Sequence, residues 1–133
     1  MEAYWDLVAR IIKESDIVLE ILDARLVDLS RNEEVERLVF EIDRPLIFVI
    51  NKSDLVNKSV LKKKVDELSK FGEVVFVSAK RPRDVKVLIY AIKKIFKKYG
   101  KREPTLRKVG DPKSNIREAR ANIVVGVLGY PNV

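Results

Sequence analysis

The sequence predicts an α/β domain with three layers, in which helices cover both faces of a parallel sheet. Two observations support this fold. Short apolar runs of strand length alternate along the chain with longer segments whose apolar residues recur at helical spacing. Short polar motifs also follow three of these runs directly. In a parallel sheet built by right-handed crossovers, ligands bind beyond the strand ends where such motifs lie.

The chain is expected to begin with an amphipathic helix and a buried strand. The apolar residues of the helix recur on one face: Trp5, Val8, Ala9 and Ile12. Residues 16–23 form the next apolar run, which fits a strand covered on both faces. Glu20 interrupts this run, so its carboxyl group must find a hydrogen-bonding partner.

A second helix is predicted to begin at a capping box. Ser30 is the expected capping residue, because Glu33 follows it three positions later. The helix should end near Ile42, since Pro45 follows shortly after and cannot continue a helix. The apolar run 46–50 is the second predicted strand.

The second half of the chain repeats this alternation. A helix is predicted over 59–71, a strand over 73–78, a helix over 84–99 and a fourth strand over 122–128. The intervening segment 100–121 has no sustained periodicity, contains prolines and glycine and is strongly basic, so it is predicted to be a connector.

The composition excludes several kinds of site. The chain has 133 residues, which fits one compact domain, and it contains no cysteine and no histidine. Disulfides, thiolate catalysis, cysteine-ligated zinc and histidine bases are therefore excluded. No apolar run approaches the roughly 20 residues of a membrane helix, and no secretory signal is visible, so a cytoplasmic location without a membrane partner is expected. The net charge of +7 favours a polyanionic partner such as nucleic acid, although basic surfaces also maintain solubility.

The motif Asn51-Lys52-Ser53-Asp54 follows the second predicted strand directly and has the residue types that recognise guanine. An ionised carboxylate at Asp54 can accept hydrogen bonds from N1–H and from the 2-amino group, which adenine does not offer in that geometry. Asn51 would contact the base and connect neighbouring loops, and the Lys52 stem would lie over the ring. This pattern predicts GTP or GDP as the ligand.

The motif Ser78-Ala79-Lys80 lies at the end of the third predicted strand. The backbone N–H of Ala79 can donate to guanine O6, and its small side chain leaves room for the base. An alternative reading has no ligand: Asn51 and Asp54 would cap the following helix, and Ser78 would satisfy a turn.

The residues Gly129-Tyr130-Pro131-Asn132-Val133 follow the fourth predicted strand. They would open a phosphate-binding loop if Gly-Lys-Ser or Gly-Lys-Thr came next, because that loop needs its lysine for the phosphates and its hydroxyl for Mg²⁺. An ordinary tail is the alternative interpretation of these five residues.

Together, these motifs and their order resemble the circularly permuted GTPases of the YlqF type, and the resemblance covers nearly all of the chain. In that family the guanine motif comes first, the Ser-Ala-Lys motif second and the phosphate loop third. The family's Asp-Ala-Arg and Ser-Arg-Asn motifs are also present, as Asp23-Ala24-Arg25 and Ser30-Arg31-Asn32. Members commonly have a proline two residues after the first arginine, where this chain has Val27.

The resemblance implies a three-layer P-loop GTPase-like domain that is circularly permuted and incomplete. Residues 1–133 would be a partial G domain: 1–99 the guanine-recognition half, 100–121 the basic connector, and 122–133 the strand that leads into the phosphate loop. The last strand is then expected beside the first, followed by the second and the third. It should form an edge of the sheet.

The resemblance also implies a function in ribosome assembly, with GTP hydrolysis in the complete protein supported by Mg²⁺. It does not identify the catalytic residues. The chain taken alone is expected to be inactive. Asn132 is implied as a ligand of K⁺. Asp23 and Arg25 would either face the nucleotide or a partner, or pair locally to fix their loop.

The implied partner is a ribosomal subunit or its RNA, and the alternative function is a non-catalytic RNA- or ribosome-binding module. The candidate basic cluster comprises Lys93, Lys94, Lys97, Lys98, Lys101, Arg102, Arg107 and Lys108.

Overall fold

The computed structural model describes residues 4–78, 80–99 and 123–129. Its strands are β1 (Ile17–Asp23), β2 (Leu46–Asn51), β3 (Glu73–Phe76) and β4 (Val125–Gly129). They form one parallel sheet in the order β3-β2-β1-β4. The predicted order is confirmed, and β4 is an edge strand within the described part of the chain.

Helices cover both faces of this sheet. They are α1 (Tyr4–Glu14), α2 (Val27–Ser30), α3 (Glu33–Ile42), α4 (Lys58–Leu68) and α5 (Arg83–Tyr99), with a 3₁₀ helix at Ser53–Leu55. One apolar core lies between the sheet and α1 to α4, and the other lies between the sheet and α5. The fold is therefore α/β with three layers, consistent with a P-loop GTPase-like domain. None of the helices in the described ranges is both long enough and apolar enough to cross a membrane.

The alternation of side chains along β1 and β2 explains the two cores. Val18 and Leu22 face the first core, whereas Ile17 and Leu19 face the second. Because both faces are covered, these strands are almost continuously apolar. Phe48 of β2 is fully buried among the helices of the first core.

Helix α1 packs through part of its predicted stripe. Val8 and Ile12 are buried, but Trp5 is 39% exposed and contacts Tyr4 edge to face. Near the end of α1, the hydroxyl of Ser15 leaves no room for a Cβ atom on Gly126 of β4. A glycine at position 126 therefore allows the edge strand to approach this helix closely.

The predicted cap of α3 is corrected by the structure. The capping residue is Asn32, whose side chain accepts a hydrogen bond from Val35 N at 3.1 Å. The hydroxyl of Ser30 is committed elsewhere, because it accepts from Asp23 N and donates to Leu26 O. Val27 begins the single turn of α2, a position where proline is also well tolerated.

The predicted connector 100–121 lies outside the described residues, as do four members of the candidate basic cluster: Lys101, Arg102, Arg107 and Lys108. The other four members, Lys93, Lys94, Lys97 and Lys98, lie on the exposed side of α5.

Candidate functional site

The carboxyl ends of β1, β2 and β3 bring the three predicted motifs to one edge of the sheet. Asp23 at the end of β1 is in register with Asn51 at the end of β2. Beyond β3, Val77 N donates to Ile50 O, and Ser53 N donates to Val77 O. The loops after the three strands are thus joined by backbone hydrogen bonds.

Asp23 is the most enclosed polar group at this edge. Its side chain is 5% exposed and forms an ion pair with Arg25, whose Nη2 lies 2.9 Å from Oδ2. Its Oδ1 also accepts from the backbone N and Nε of Arg25, and Lys52 Nζ lies 3.2 Å from Oδ2. The Arg25 guanidinium, followed by Lys52, holds the pKa of Asp23 well below its ordinary value.

These contacts describe the local pairing that was one of the two expectations for the Asp-Ala-Arg motif. Arg25 folds back onto Asp23, and the N–H of Ala24 donates to Asn51 O at 2.9 Å. The motif therefore ties the end of β1 to the end of β2.

Lys52 has a left-handed backbone conformation, with φ of 59° and ψ of 30°. Such a conformation costs a residue with a Cβ atom roughly 1 kcal/mol. It turns the chain sharply after β2, and the ammonium group of Lys52 reaches Asp23 at the end of the neighbouring strand β1. The stem predicted to lie over a base is thus anchored at its charged end.

Asp54 has a more open environment at the same edge. Its side chain is 23% exposed, and its Oδ1 accepts a hydrogen bond of 2.7 Å from the hydroxyl of Ser78. Lys80 Nζ, on a side chain that is 78% exposed, lies 3.6 Å from Oδ2. The Ser78 hydrogen bond, and to a lesser degree Lys80, lower the pKa of Asp54, so the carboxylate is ionised at neutral pH.

Two residues that the sequence analysis did not assign to the site hold Ser78 and Ser53 in place. Asp84 is buried at the start of α5 and accepts from Ser78 N at 2.9 Å and from Arg81 Nε at 3.0 Å. Arg81 also donates to the hydroxyl of Ser53. The only signal in the sequence was a carboxylate at a predicted helix start, which usually indicates a cap.

The helix-capping alternative for the guanine motif does not agree with the structure. Helix α4 begins after Asn57, whose side chain accepts from Ser59 N at 2.9 Å. Neither Asn51 nor Asp54 lies at that position. Ser78 does contribute to a turn, because its hydroxyl accepts from Lys80 N while it donates to Asp54.

The remaining predicted site residues have fewer described contacts. Gly129 ends β4 opposite Ile21 of β1. Ala79 and the residues 130–133, namely Tyr130, Pro131, Asn132 and Val133, lie outside the described residues.

The family's Ser-Arg-Asn motif also surrounds a buried carboxyl group. Asn32 N donates to Glu20 Oε2 at 3.2 Å, and Oε1 of Glu20 has no hydrogen-bond partner among the described residues. Burial, and then the neighbouring Glu36 carboxylate, raise the pKa of Glu20 far above its ordinary value. Glu36 itself is paired with Arg31, whose Nη2 lies 2.8 Å from Oε1. Glu20 is therefore protonated at neutral pH beside a small cavity of about 70 Å³ that reaches Gly129.

Comparison with known proteins agrees with the chemistry of this edge. The chain is 39% identical over 128 residues to an uncharacterized GTP-binding protein of Methanocaldococcus jannaschii, a match that covers 96% of the chain and 28% of the relative. It is 35% identical over 130 residues to guanine nucleotide-binding protein-like 3 of Mus musculus, covering 93% of the chain and 24% of the relative. It is 31% identical over 127 residues to the GTPase grn1 of Schizosaccharomyces pombe, covering 93% of the chain and 26% of the relative.

No protein-family model matches the chain. The chain spans about a quarter of the length of these curated relatives. With its parallel α/β sheet and its motifs at the strand ends, the chain is a homologue of GTP-binding proteins.

Proposed function

We propose that this chain is the guanine-recognition part of a circularly permuted GTPase of the YlqF type, in which residues 1–99 read the base and 122–133 lead into the phosphate loop. The observation that carries the proposal is the position of Asp54. Its ionised and partly exposed carboxylate is oriented by Ser78 at the carboxyl edge of a parallel sheet. This edge is where nucleotides bind in such folds.

In this proposal, Asp54 accepts hydrogen bonds from N1–H and the 2-amino group of guanine. Ser78 donates to Oδ1 and so fixes the carboxylate before the base arrives. Lys80 lies 3.6 Å from Oδ2 on an exposed side chain, so the base can displace it with little loss. The N–H of Ala79 donates to guanine O6.

Asn51 and Lys52 would complete the base pocket. The ion pair between Lys52 and Asp23 fixes the end of the lysine side chain, which leaves its apolar stem for one face of the guanine ring. Asn51 would contact the base from the β2 end, where its carbonyl already accepts from Ala24 N. The Asp-Ala-Arg motif then supports the pocket without touching the nucleotide.

The phosphate side of the site would begin at Gly129-Tyr130-Pro131-Asn132-Val133 and be completed by Gly-Lys-Ser or Gly-Lys-Thr after Val133. Asn132 would be a K⁺ ligand. No group of three or more metal-binding side chains is found among the described residues. The protein ligand of Mg²⁺ in this proposal is the hydroxyl of the Gly-Lys-Ser or Gly-Lys-Thr segment. When bound, Mg²⁺ would neutralise charge that develops on the phosphates during hydrolysis.

The base assignment is tested by Asp54→Asn in the whole protein. The amide replaces an acceptor by a donor, so GTP affinity should fall roughly 100-fold while xanthosine triphosphate affinity rises. Titration with fluorescent analogues of both nucleotides measures the two effects. Unchanged GTP affinity in this variant would overturn the base assignment.

Asp66→Asn is the matched control, because it removes one exposed carboxylate from α4. Its affinities for both nucleotides should equal those of the unmodified protein. A loss of GTP affinity as large as that of Asp54→Asn would mean that general charge, and not base recognition, explains the result.

A ribosomal subunit or its RNA is the partner that we propose, on the basis of the family resemblance and the net charge of +7. The second candidate function is a non-catalytic RNA- or ribosome-binding module, which the cationic surface of α5 favours. The residues encoded after Val133 separate the two. Gly-Lys-Ser or Gly-Lys-Thr, with a later Asp-x-x-Gly, supports the GTPase, and their absence supports the binding module.

A further inference from the structure

Helices α3 and α5, which lie on opposite sides of the sheet, differ strongly in charge. Helix α3, on one side, has four acidic residues and a single basic one: Glu33, Glu34, Glu36, Glu41 and Arg37. Helix α5, on the other side, has six basic residues: Arg83, Lys86, Lys93, Lys94, Lys97 and Lys98. Its single acidic residue, Asp84, is buried and bonded to Ser78 N. The exposed surface of α5 is therefore cationic without an exposed carboxylate of its own.

Helical spacing places an exposed aromatic residue inside this cationic surface. Lys86, Tyr90, Lys93 and Lys97 follow one another at intervals of four, three and four residues, so they form a single stripe. Tyr90 is 71% exposed, and the three lysines are exposed as well. At a rise of about 1.5 Å per residue, Lys86 and Lys97 lie about 16 Å apart along the helix.

The apolar face of α5 is already occupied. Ala91 and Ile95 are buried against the sheet in the second core. Amphipathic surface helices bury their apolar face in a lipid bilayer, and α5 cannot do so with this face because it packs on the sheet. Helix α5 presents this stripe to solvent together with Lys94, Lys98 and three exposed apolar side chains, Val85, Val87 and Ile89.

We propose that the Lys86-Tyr90-Lys93-Lys97 stripe of α5 binds single-stranded RNA, with Tyr90 stacking on an unpaired base and the lysines contacting phosphates. Charge complementarity supports a polyanion, and the exposed ring at the centre supports an unpaired base rather than a duplex. The choice of RNA over DNA rests on the proposed function. The stripe lies on the helix layer opposite α3 and contains none of the base-reading residues, so it would be a second site.

The test measures binding of fluorescein-labelled oligouridine to the whole protein by fluorescence anisotropy at several salt concentrations. The triple variant Lys86→Gln, Lys93→Gln and Lys97→Gln should bind at least about tenfold more weakly. Because each lost phosphate contact removes about 0.7 from the slope of log K against log salt, the slope should fall by about 2.

The matched control makes the same change on α4, where Lys58, Lys62 and Lys63 are also exposed. Replacing these three by glutamine should leave oligouridine affinity within about twofold, because they contact no phosphate in the proposal. An equal loss in the two triple variants would overturn the proposal, since it would show that only net charge matters.

Tyr90 provides the sharper test. Tyr90→Ala should lower oligouridine affinity about tenfold, whereas Tyr90→Phe should keep it, because stacking needs the ring and not the hydroxyl. Duplex RNA should bind equally well before and after Tyr90→Ala. Unchanged oligouridine affinity in Tyr90→Ala would overturn the proposal.

GTP affinity measured on the same variants separates this inference from the proposed function. Nucleotide affinity should be unchanged in the α5 variants. If oligouridine binding depends on the stripe and GTP does not bind at all, the RNA surface stands and the GTPase assignment fails. If GTP binds and the stripe variants bind RNA normally, the GTPase assignment stands and the proposed RNA-binding surface fails.

Discussion

Asp23 and Asp54 follow neighbouring strands of the sheet, and their surroundings differ in a way that separates support from recognition. Asp23 is almost fully buried and accepts from two groups of the Arg25 side chain, from the Arg25 backbone and from Lys52. Asp54 is partly exposed and is oriented by Ser78. Its charged neighbour Lys80 has a long, exposed side chain with many rotamers. A carboxylate whose oxygens already accept several hydrogen bonds, as in Asp23, stabilises the loops. One that keeps accessible oxygen can bind a ligand.

Removing each carboxylate should therefore lower stability by different amounts, and the loss at Asp23 is the largest expected effect. Asp23→Ala removes a buried acceptor of four hydrogen bonds, whereas the Arg25 and Lys52 cations that it leaves behind can still be hydrated, so the free energy of unfolding should fall by about 2 kcal/mol. Asp54→Ala should destabilise the fold much less, because its pair with Lys80 is exposed. Urea denaturation measures both. Equal losses would contradict the division of roles.

Acid should weaken the Asp23 contacts in a defined range. The folded pKa of Asp23 lies below its ordinary value of 3.8, so the unfolded chain binds more protons in the interval between the two pKa values. This contribution to stability is complete above that ordinary value and is lost progressively as the pH falls toward the folded pKa.

The matched protein for this measurement is Asp23→Asn, which cannot titrate at this position. The difference in unfolding free energy between the two proteins should shrink progressively below about pH 4. A difference that stays constant down to pH 2 would show that the Asp23 charge does not stabilise the fold.

The smallest expected effect concerns the orientation of Asp54. Ser78→Ala removes the hydroxyl that donates to Oδ1, so we expect GTP affinity in the whole protein to fall about tenfold, with xanthosine triphosphate remaining a poor ligand. Nucleotide titration checks this effect, and Ser59→Ala on α4 serves as the control. A switch of preference toward xanthosine triphosphate would mean that Ser78, and not Asp54, reads the base edge.

The sequence predicted the sheet because buried strands and amphipathic helices leave strong apolar periodicities, and the family resemblance predicted the strand order. The strands predicted at residues 16–23 and 46–50 differ from the observed strands β1 and β2 by one residue each. The third strand ends at Phe76 and not at Ser78, since the last two residues bend into the loop that contacts Ser53. The one-turn helix α2 was too short to leave a periodicity.

The site could be predicted as a set of residues but not as a network. Asn51, Asp54 and Ser78 were identified from motifs, whereas the support from Arg81 and Asp84 depends on tertiary contacts across the edge. Likewise, Ser30 fits a capping box, and only the fold shows that Asp23 N uses its hydroxyl, so that Asn32 becomes the cap. Local patterns do not record such competition for one hydrogen-bonding group.

The pairing of β1 with β4 has a consequence for biosynthesis. Asp16 and Val124, which are joined by a hydrogen bond beside this pair, are 108 residues apart in the chain. As the polypeptide emerges from a ribosome, β1 can pair with β2 early, but its other side remains an open backbone edge until β4 is made. The unpaired N–H and C=O groups of such an edge can pair with a strand of another chain. Newly made protein should therefore be most prone to aggregation during that interval of translation.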